Sequence, residues 1–276
     1  MSFPEPNDNP PFNLGRVRAR PVARWIAAAG IVVAAVLFHA LAARSANPNA
    51  LWDIVHGQCV PDQQQHGDPK PCAEVDLTNG VERGYGILKD LVGASQFLLI
   101  PTQRVGGIES PSLLGPDAVN YFDDAWAARR FAEKALGRPM PRDTLSLAIN
   151  SKYGRTQNQL HIHIDCVRAD VRDILRSEAD HIGRHWTLLT RPLAGHHYRA
   201  LRVIGSTLDG NDPFKLLARG SVAARADMGT YTLVVVGMRF GGQPGFILLA
   251  GRADRARGNF GSGEELQDHA CALARR

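Results

Sequence analysis

The chain has 276 residues, is 44% hydrophobic and 21% charged, and contains 27 Gly and 17 Pro. These values exclude wholesale disorder and a polytopic membrane protein. The net charge of +5 is modest, and Arg16, Arg18, Arg20 and Arg24 crowd into the first 24 residues, so the remaining body has no basic stripe for nucleic acid.

Residues 1–24 are rich in Pro and Asn at their start and read as a disordered, cytoplasmic N-terminus. Trp25 to Ala43 is apolar except for His39, and a helix of that length spans about 28 Å, roughly the hydrocarbon thickness of a bilayer. Arginines precede the run and only Arg44 follows closely, which predicts a single-pass anchor with residues 44–276 on the periplasmic side of a cell inner membrane. A cleaved signal peptide is the rival reading, because Ala40-Leu41-Ala42 resembles a cleavage site. The anchor is preferred because the apolar run exceeds the usual core of a signal peptide.

Asn49–His56 reads as a short helix. Cys59 and Cys72 then bracket a Pro/Gln/Gly loop with little apolar content, and Cys166 and Cys271 complete the set of four. Four cysteines allow three connectivities; Cys59–Cys72 with Cys166–Cys271 is preferred, since the first staples the loop and the second ties a C-terminal helix to the middle of the fold. No C-x-x-C spacing supports a metal site, and export favours disulfides.

Gly84–Lys89 and Gln96–Ile100 predict a hairpin around DLVGAS. Asn120 caps a predicted helix through Leu136, stopped by Gly137 and Pro139, with Phe122, Ala125, Trp126, Ala132 and Leu136 as its core stripe. Leu145–Asn150 and Leu160–Val167 read as strands around the polar turn SKYGRTQNQ. Asp170–Arg184 reads as a helix with Val171, Ile174, Leu175 and Ile182 inward. Thr232–Gly237 and Gly245–Ala250 predict a second hairpin around Gly241-Gly242, and Ser262 with Glu265 forms a capping-box pair for a C-terminal helix. The order predicts an α+β fold, an antiparallel sheet with helices packed on one side. Both hairpins run Tyr, apolar strand, Gly turn, Phe, apolar strand, so they are candidates for pseudo-equivalent parts of one sheet.

The chemistry concentrates on Gln-Leu-His-Ile-His-Ile-Asp at 159–165. Period-2 alternation puts Gln159, His161, His163 and Asp165 on one strand face, about 6–7 Å apart, and Leu160, Ile162 and Ile164 on the other. Three readings compete. The face is a solvated polar surface, or a metal site in which Asp165, His181 or His185 (with His196-His197 also available) completes the ligands, or an imidazole nucleophile with a neighbouring donor for a phosphoryl oxygen. The upstream turn favours phosphorus: Asn150, Lys152, Gly154, Arg155 and Thr156 combine a tight backbone with phosphate partners.

A turn of this kind before an x-φ-His-φ-His-φ strand resembles the histidine-triad (HIT-like) superfamily. More closely, CVPDQQQ with PCAEV, GYGILKDLVG, LLIPTQRVGGIESP, SLAINSKYGRTQNQLHIHIDCVRADVR and EELQDHAC resemble, in order, the bacterial CDP-diacylglycerol pyrophosphatases. That resemblance implies a HIT-like sheet, one N-terminal membrane segment, and hydrolysis of CDP-diacylglycerol to CMP and phosphatidate in phospholipid metabolism. No cofactor or metal is implied. It makes His161 the nucleophile that carries cytidylyl and His163 the hydrogen-bond donor. Asn150 and Thr156 match upstream polar positions, Lys152 and Arg155 stand in the phosphate turn, and Tyr85 and Lys89 are candidates for substrate contact. Gln159 stands where the superfamily has His. The alternative is a membrane-tethered metal- or headgroup-binding protein without turnover. The expected partners are the lipid substrate and the membrane, with a homodimer left open.

Overall fold

The computed structural model describes residues 47–275; the expected N-terminal segments 1–24 and 25–43 lie outside the described residues. No helix among the described residues is long and apolar enough to cross a membrane.

Nine strands form one antiparallel sheet: β1 (Glu74–Asp76), β2 (Tyr85–Lys89), β3 (Phe97–Pro101), β4 (Leu145–Ile149), β5 (Ile162–Cys166), β6 (Thr187–Leu188), β7 (Tyr198–Ile204), β8 (Tyr231–Phe240) and β9 (Gln243–Arg252). Their order is β1-β2-β3-β5-β4-β8-β9-β7-β6. Both predicted hairpins form. The second turns through Gly241 and Gly242 with φ of 54° and 86°, the positive values a two-residue hairpin turn requires.

Alternation along the strands sorts the core into two faces. One face carries Ile87, Leu99, Leu147, Ile162, Leu233 and Leu248 against Phe122 and Trp126 of helix α2 (Tyr121–Ala135) and Phe214 of helix α4 (Pro213–Gly220). Asn120 caps α2 as predicted, its side chain accepting from the Asp123 N–H.

The opposite face is also covered, so the expected one-sided packing gives way to a two-sided arrangement. At one end Leu88, Leu98 and Ile100 meet Val55 and Val60 of helix α1 (residues 50–66); at the other, Ala148, Val234, Val236 and Ile247 meet Val171 and Leu175 of helix α3 (Ala169–Glu178). A single row of cross-strand partners runs Leu88, Leu98, His163, Ala148, Val234, Leu249, Ala200. His163 is the polar member of that row, between the two apolar clusters.

Several local expectations are corrected. Ala50–Ile54, Val55–Cys59 and Val60–His66 run on as one helix, α1, whose middle segment is π-helical. Half of the expected Cys59–Cys72 loop is therefore helical. The Val60 N–H bonds the Val55 carbonyl five residues back, and this wider register carries the chain past Pro61, which has no N–H to donate. Helix α3 stops at Glu178, short of Arg184, because that buried carboxylate accepts from the Thr190 hydroxyl (2.6 Å) and the Thr190 and Arg191 N–H groups.

The C-terminal helix is absent; Gly263–Leu266 and Ala272–Arg275 are short 3-10 turns. Its capping-box residues are engaged elsewhere, Ser262 with Asn150 and Glu265 with Tyr198 and His196. This tail lies flat on the sheet, where a Cβ at Gly263 would sit 2.7 Å from Thr232 Oγ1 and 3.0 Å from Val234. The two hairpins are not pseudo-equivalent in place: the Tyr-led strand is the outer one in β2–β3 and the inner one in β8–β9.

Both preferred disulfides are present, Cys59–Cys72 across 13 residues and Cys166–Cys271 across 105. Among the described residues there is no free cysteine. The longer loop removes more unfolded-state entropy. Converting Cys166 and Cys271 to Ala is expected to cost about 4–5 kcal/mol and the Cys59/Cys72 pair about 3 kcal/mol, compared by urea denaturation of the two double variants.

Candidate active site

His161 precedes β5 and His163 lies within it; both are buried, with ring centroids 4.9 Å apart in an edge-on arrangement. The Nδ1 of His161 is 2.7 Å from the Gln159 carbonyl oxygen. A carbonyl only accepts, so Nδ1 carries the proton and the neutral ring leaves Nε2 with a free lone pair. Burial holds the His161 pKa below the ordinary imidazole value, against the opposing pull of the Gln159 carbonyl and the Glu264 carboxylate.

The His163 Nδ1 lies 2.8 Å from the Gln96 side-chain amide nitrogen and 3.2 Å from Glu264 Oε2, and its Nε2 is buried and unpartnered. Gln96 Nε2 also faces Glu264 Oε2 at 3.5 Å. Burial first, and then the neighbouring His161, push the His163 pKa well below the ordinary value. Its 3.2 Å approach to Glu264 is therefore a contact between a neutral ring and a carboxylate, not an ion pair. Two neutral imidazoles thus stand side by side, His161 with a lone pair at Nε2.

Both rings line a cleft of about 580 Å³. Its polar lining includes Asn150, Thr156 and Glu264, and its apolar lining includes Leu51 and Ile54 of α1, Leu88 of β2 and Leu98 of β3. Asn150 is fixed from both ends: its amide N donates to Glu264 Oε1 at 2.6 Å, and its oxygen accepts from the Gly263 N–H at 2.8 Å. The cleft therefore couples a polar floor to an apolar wall.

The sequence-derived candidates divide. Asn150, Thr156, His161 and His163 come together in the cleft. Gln159 reaches it only through its backbone. Its fully buried side chain donates to the carbonyls of Pro101 (3.0 Å) and Gln103 (2.8 Å) and accepts from the Val105 N–H. Lys152 is paired with Asp227, and Arg155 makes a bidentate pair with Glu109. Lys89 lines the cleft at its rim, but its ammonium is held by the carbonyls of Asp90 and Gly93. Tyr85 shares the Ile87 face of β2 and packs into the opposite core, beside Asp76.

The residues of the metal reading are not assembled. Asp165 is fully buried and accepts from Ser95 and His269; His181, His185 and His197 are exposed, and His196 is bound to Glu265. The described residues contain no cluster of three or more His, Cys, Asp or Glu able to hold a metal ion. Glu264 and Gln96 were not marked by the sequence. Their partners lie 67–168 residues away, and no local spacing announces them.

A model of the CDP-diacylglycerol pyrophosphatase family matches residues 46–275. A CDP-diacylglycerol pyrophosphatase of Yersinia pestis is 42% identical over 243 residues, covering 88% of this chain and 91% of that protein. The chain belongs to the CDP-diacylglycerol pyrophosphatase family. That membership covers the whole cleft-bearing body, from α1 through the C-terminal tail.

Two outcomes test this geometry. Nitrogen-15 spectra at pH 7 are expected to show both rings neutral, with His161 protonated at Nδ1; the opposite tautomer on His161 contradicts the hydrogen-bond assignment. Gln159→Ala leaves buried carbonyls and one N–H without partners and is expected to cost about 1–3 kcal/mol in urea denaturation. The His161 tautomer should survive that change, because its partner is backbone.

Proposed function

We propose that the cleft hydrolyses CDP-diacylglycerol to CMP and phosphatidate through a cytidylyl group carried on His161. The observation that carries this reading is the pair of adjacent neutral imidazoles in a cleft with a polar floor and an apolar wall. A phosphoanhydride needs a nucleophile that is unprotonated at working pH and a donor where negative charge gathers on phosphorus.

In the first step His161 Nε2 attacks the phosphorus bearing cytidine. The bond to the bridging oxygen breaks, and that oxygen leaves with phosphatidate. The attacked ring gains positive charge, which its Nδ1–H to the Gln159 carbonyl stabilises. The His163 Nε2–H donates to a non-bridging oxygen and gains there the partner it lacks in the free cleft. In the second step water attacks the same phosphorus, the N–P bond breaks, CMP departs and His161 returns to its neutral form. Phosphatidate is a weak base, so expulsion does not require a strong acid. The apolar lining suits the diacylglycerol end of the substrate. We also propose that the body faces the periplasm behind the N-terminal anchor, the compartment in which both disulfides persist.

His161→Ala is expected to abolish both turnover and label transfer from substrate carrying radioactive phosphorus next to cytidine. His163→Ala retains the nucleophile and should slow turnover about 10²–10³-fold, with adduct still forming slowly. Mass spectrometry of protein quenched during turnover locates the cytidylyl group; its absence from wild type under single-turnover conditions refutes the covalent route.

The pH profile follows from burial. A depressed His161 pKa keeps the nucleophile free as pH falls through the ordinary imidazole value of about 6.5, so the acid limb of kcat/KM lies below that pH. The negative charge of Glu264 raises the His161 pKa. Glu264→Gln removes it and should move the limb further into acid. A limb at or above pH 6.5, or a shift toward neutrality in the variant, contradicts the assignment.

A further inference from the structure

We propose that the mouth of the cleft docks on the surface of a bilayer containing anionic phospholipid, through an apolar and arginine-bearing rim that the chemistry does not use. The proposal rests on the lipid-substrate reading for its purpose but on separate observations for its evidence.

The first observation is a pair of exposed apolar sites by the cleft. Leu91 is fully exposed and Val92 is 53% exposed at the tip of the β2–β3 turn, where the preceding Asp90 lines the cleft. Phe260 is 51% exposed and belongs to the segment that holds the phosphate turn. Its carbonyl accepts from the Ser151 hydroxyl at 2.6 Å and sits 3.1 Å from where a Cβ on Gly154 would be, and Gly154 lines the cleft. Both sites leave apolar surface uncovered, although an isolated exposed apolar residue would carry little weight. Here they stand beside the same opening.

The second is charge. Tyr153, next to Gly154, lines a neighbouring hollow of about 740 Å³ with Arg252, Arg255 and Arg257. Three guanidinium groups meet one lining carboxylate there, Asp254, which lies 3.7 Å from Arg257. Arg255 stacks over the Tyr153 ring at 5.0 Å. An aromatic, an exposed Phe and excess arginine form the combination that favours the headgroup region of an anionic membrane.

The third is the place where the chain enters. The Gln157 side chain donates to the Asn47 carbonyl and the Asn158 N–H to the Pro48 carbonyl, pinning the first described residues to the loop whose Thr156 and Gln157 line the cleft. In the sequence, residues 44–46 separate Asn47 from the apolar run at 25–43.

The test uses the full chain in proteoliposomes. All four native cysteines are in disulfides, so a cysteine introduced at Val92, Phe260 or Val222 takes a single environment-sensitive fluorophore. Val222 is 86% exposed in helix α5 (Val222–Ala226), which packs with the α4 cluster on the opposite face of the sheet. In vesicles containing phosphatidylglycerol, Val92→Cys and Phe260→Cys probes should shift to the blue and be quenched by nitroxide-bearing lipid, while the Val222→Cys probe stays in water. Arg255→Glu with Arg257→Glu should weaken quenching at Phe260. Solvent-like emission at both rim sites overturns docking.

Turnover supplies an independent arm. Val92→Glu with Phe260→Glu should release CMP from vesicle-embedded CDP-diacylglycerol at least about tenfold more slowly, with release from a dispersed short-chain analogue within about twofold of wild type. Equal loss on both substrates also overturns docking. If wild type releases CMP from neither form while its rim probes are quenched, the substrate reading fails and docking stands.

Discussion

The constraint on which this structure depends is the burial of polar side chains at the centre of a sheet face. His163 occupies a cross-strand row otherwise filled by Leu and Val, together with two alanines, and Asp165 lies two residues along the same strand. Such groups are tolerated in the interior only when partners reach them. The partners come from outside the central strands. The β2–β3 connection supplies Ser95 to Asp165 and Gln96 to His163, and the tail supplies Glu264 to Asn150, Gln267 to the His163 carbonyl and His269 to Asp165. The Cys166–Cys271 disulfide fastens that tail to the end of β5. Three atoms are left without a partner in this network, Gln96 Oε1, Gln267 Oε1 and the Nε2 of His163, and of these residues only His163 lines the cleft with His161.

The electrostatic character follows from the same burial. Burial discourages protonation of both rings, and His161 further discourages that of His163, so the site is built on neutral imidazoles instead of fixed cations. The cations expected from the sequence to meet phosphate are already matched by Asp227 and Glu109. Removing Arg155 would leave part-buried Glu109 without its partner. The role of these pairs is to hold the 150–158 turn in place, which lets Asn150 and Thr156 face the cleft.

What was legible in the sequence was what repeats over short distances. The Asn120 cap and the Gly-Gly hairpin are local patterns and both formed, while the period-2 strand formed over Ile162–Cys166 and leaves Gln159 and His161 ahead of it. The apparent capping box at Ser262 shows the limit of that method. Its two residues are competed for by Asn150 and Tyr198, more than sixty residues away, and a local motif loses to stronger distant partners. Glu264 was invisible for the same reason. Gln159 stands where the superfamily has His, yet the atom that orients His161 is its backbone oxygen, which every residue type possesses. Tyr85 failed on face parity, since it alternates with Gly86 away from the cleft side of β2.

The tail has a consequence for when this protein acquires its chemistry. All nine strands are complete by Arg252, whereas the residues that anchor Asn150 and flank His163 and Asp165 follow at 263–269. The strands are therefore all synthesised before the residues that order the cleft. Biosynthesis places the reactive imidazoles first and their supporting network last. Loss of that end would remove Leu266, Leu273 and the Cys166–Cys271 bond together with the groups that support the imidazoles.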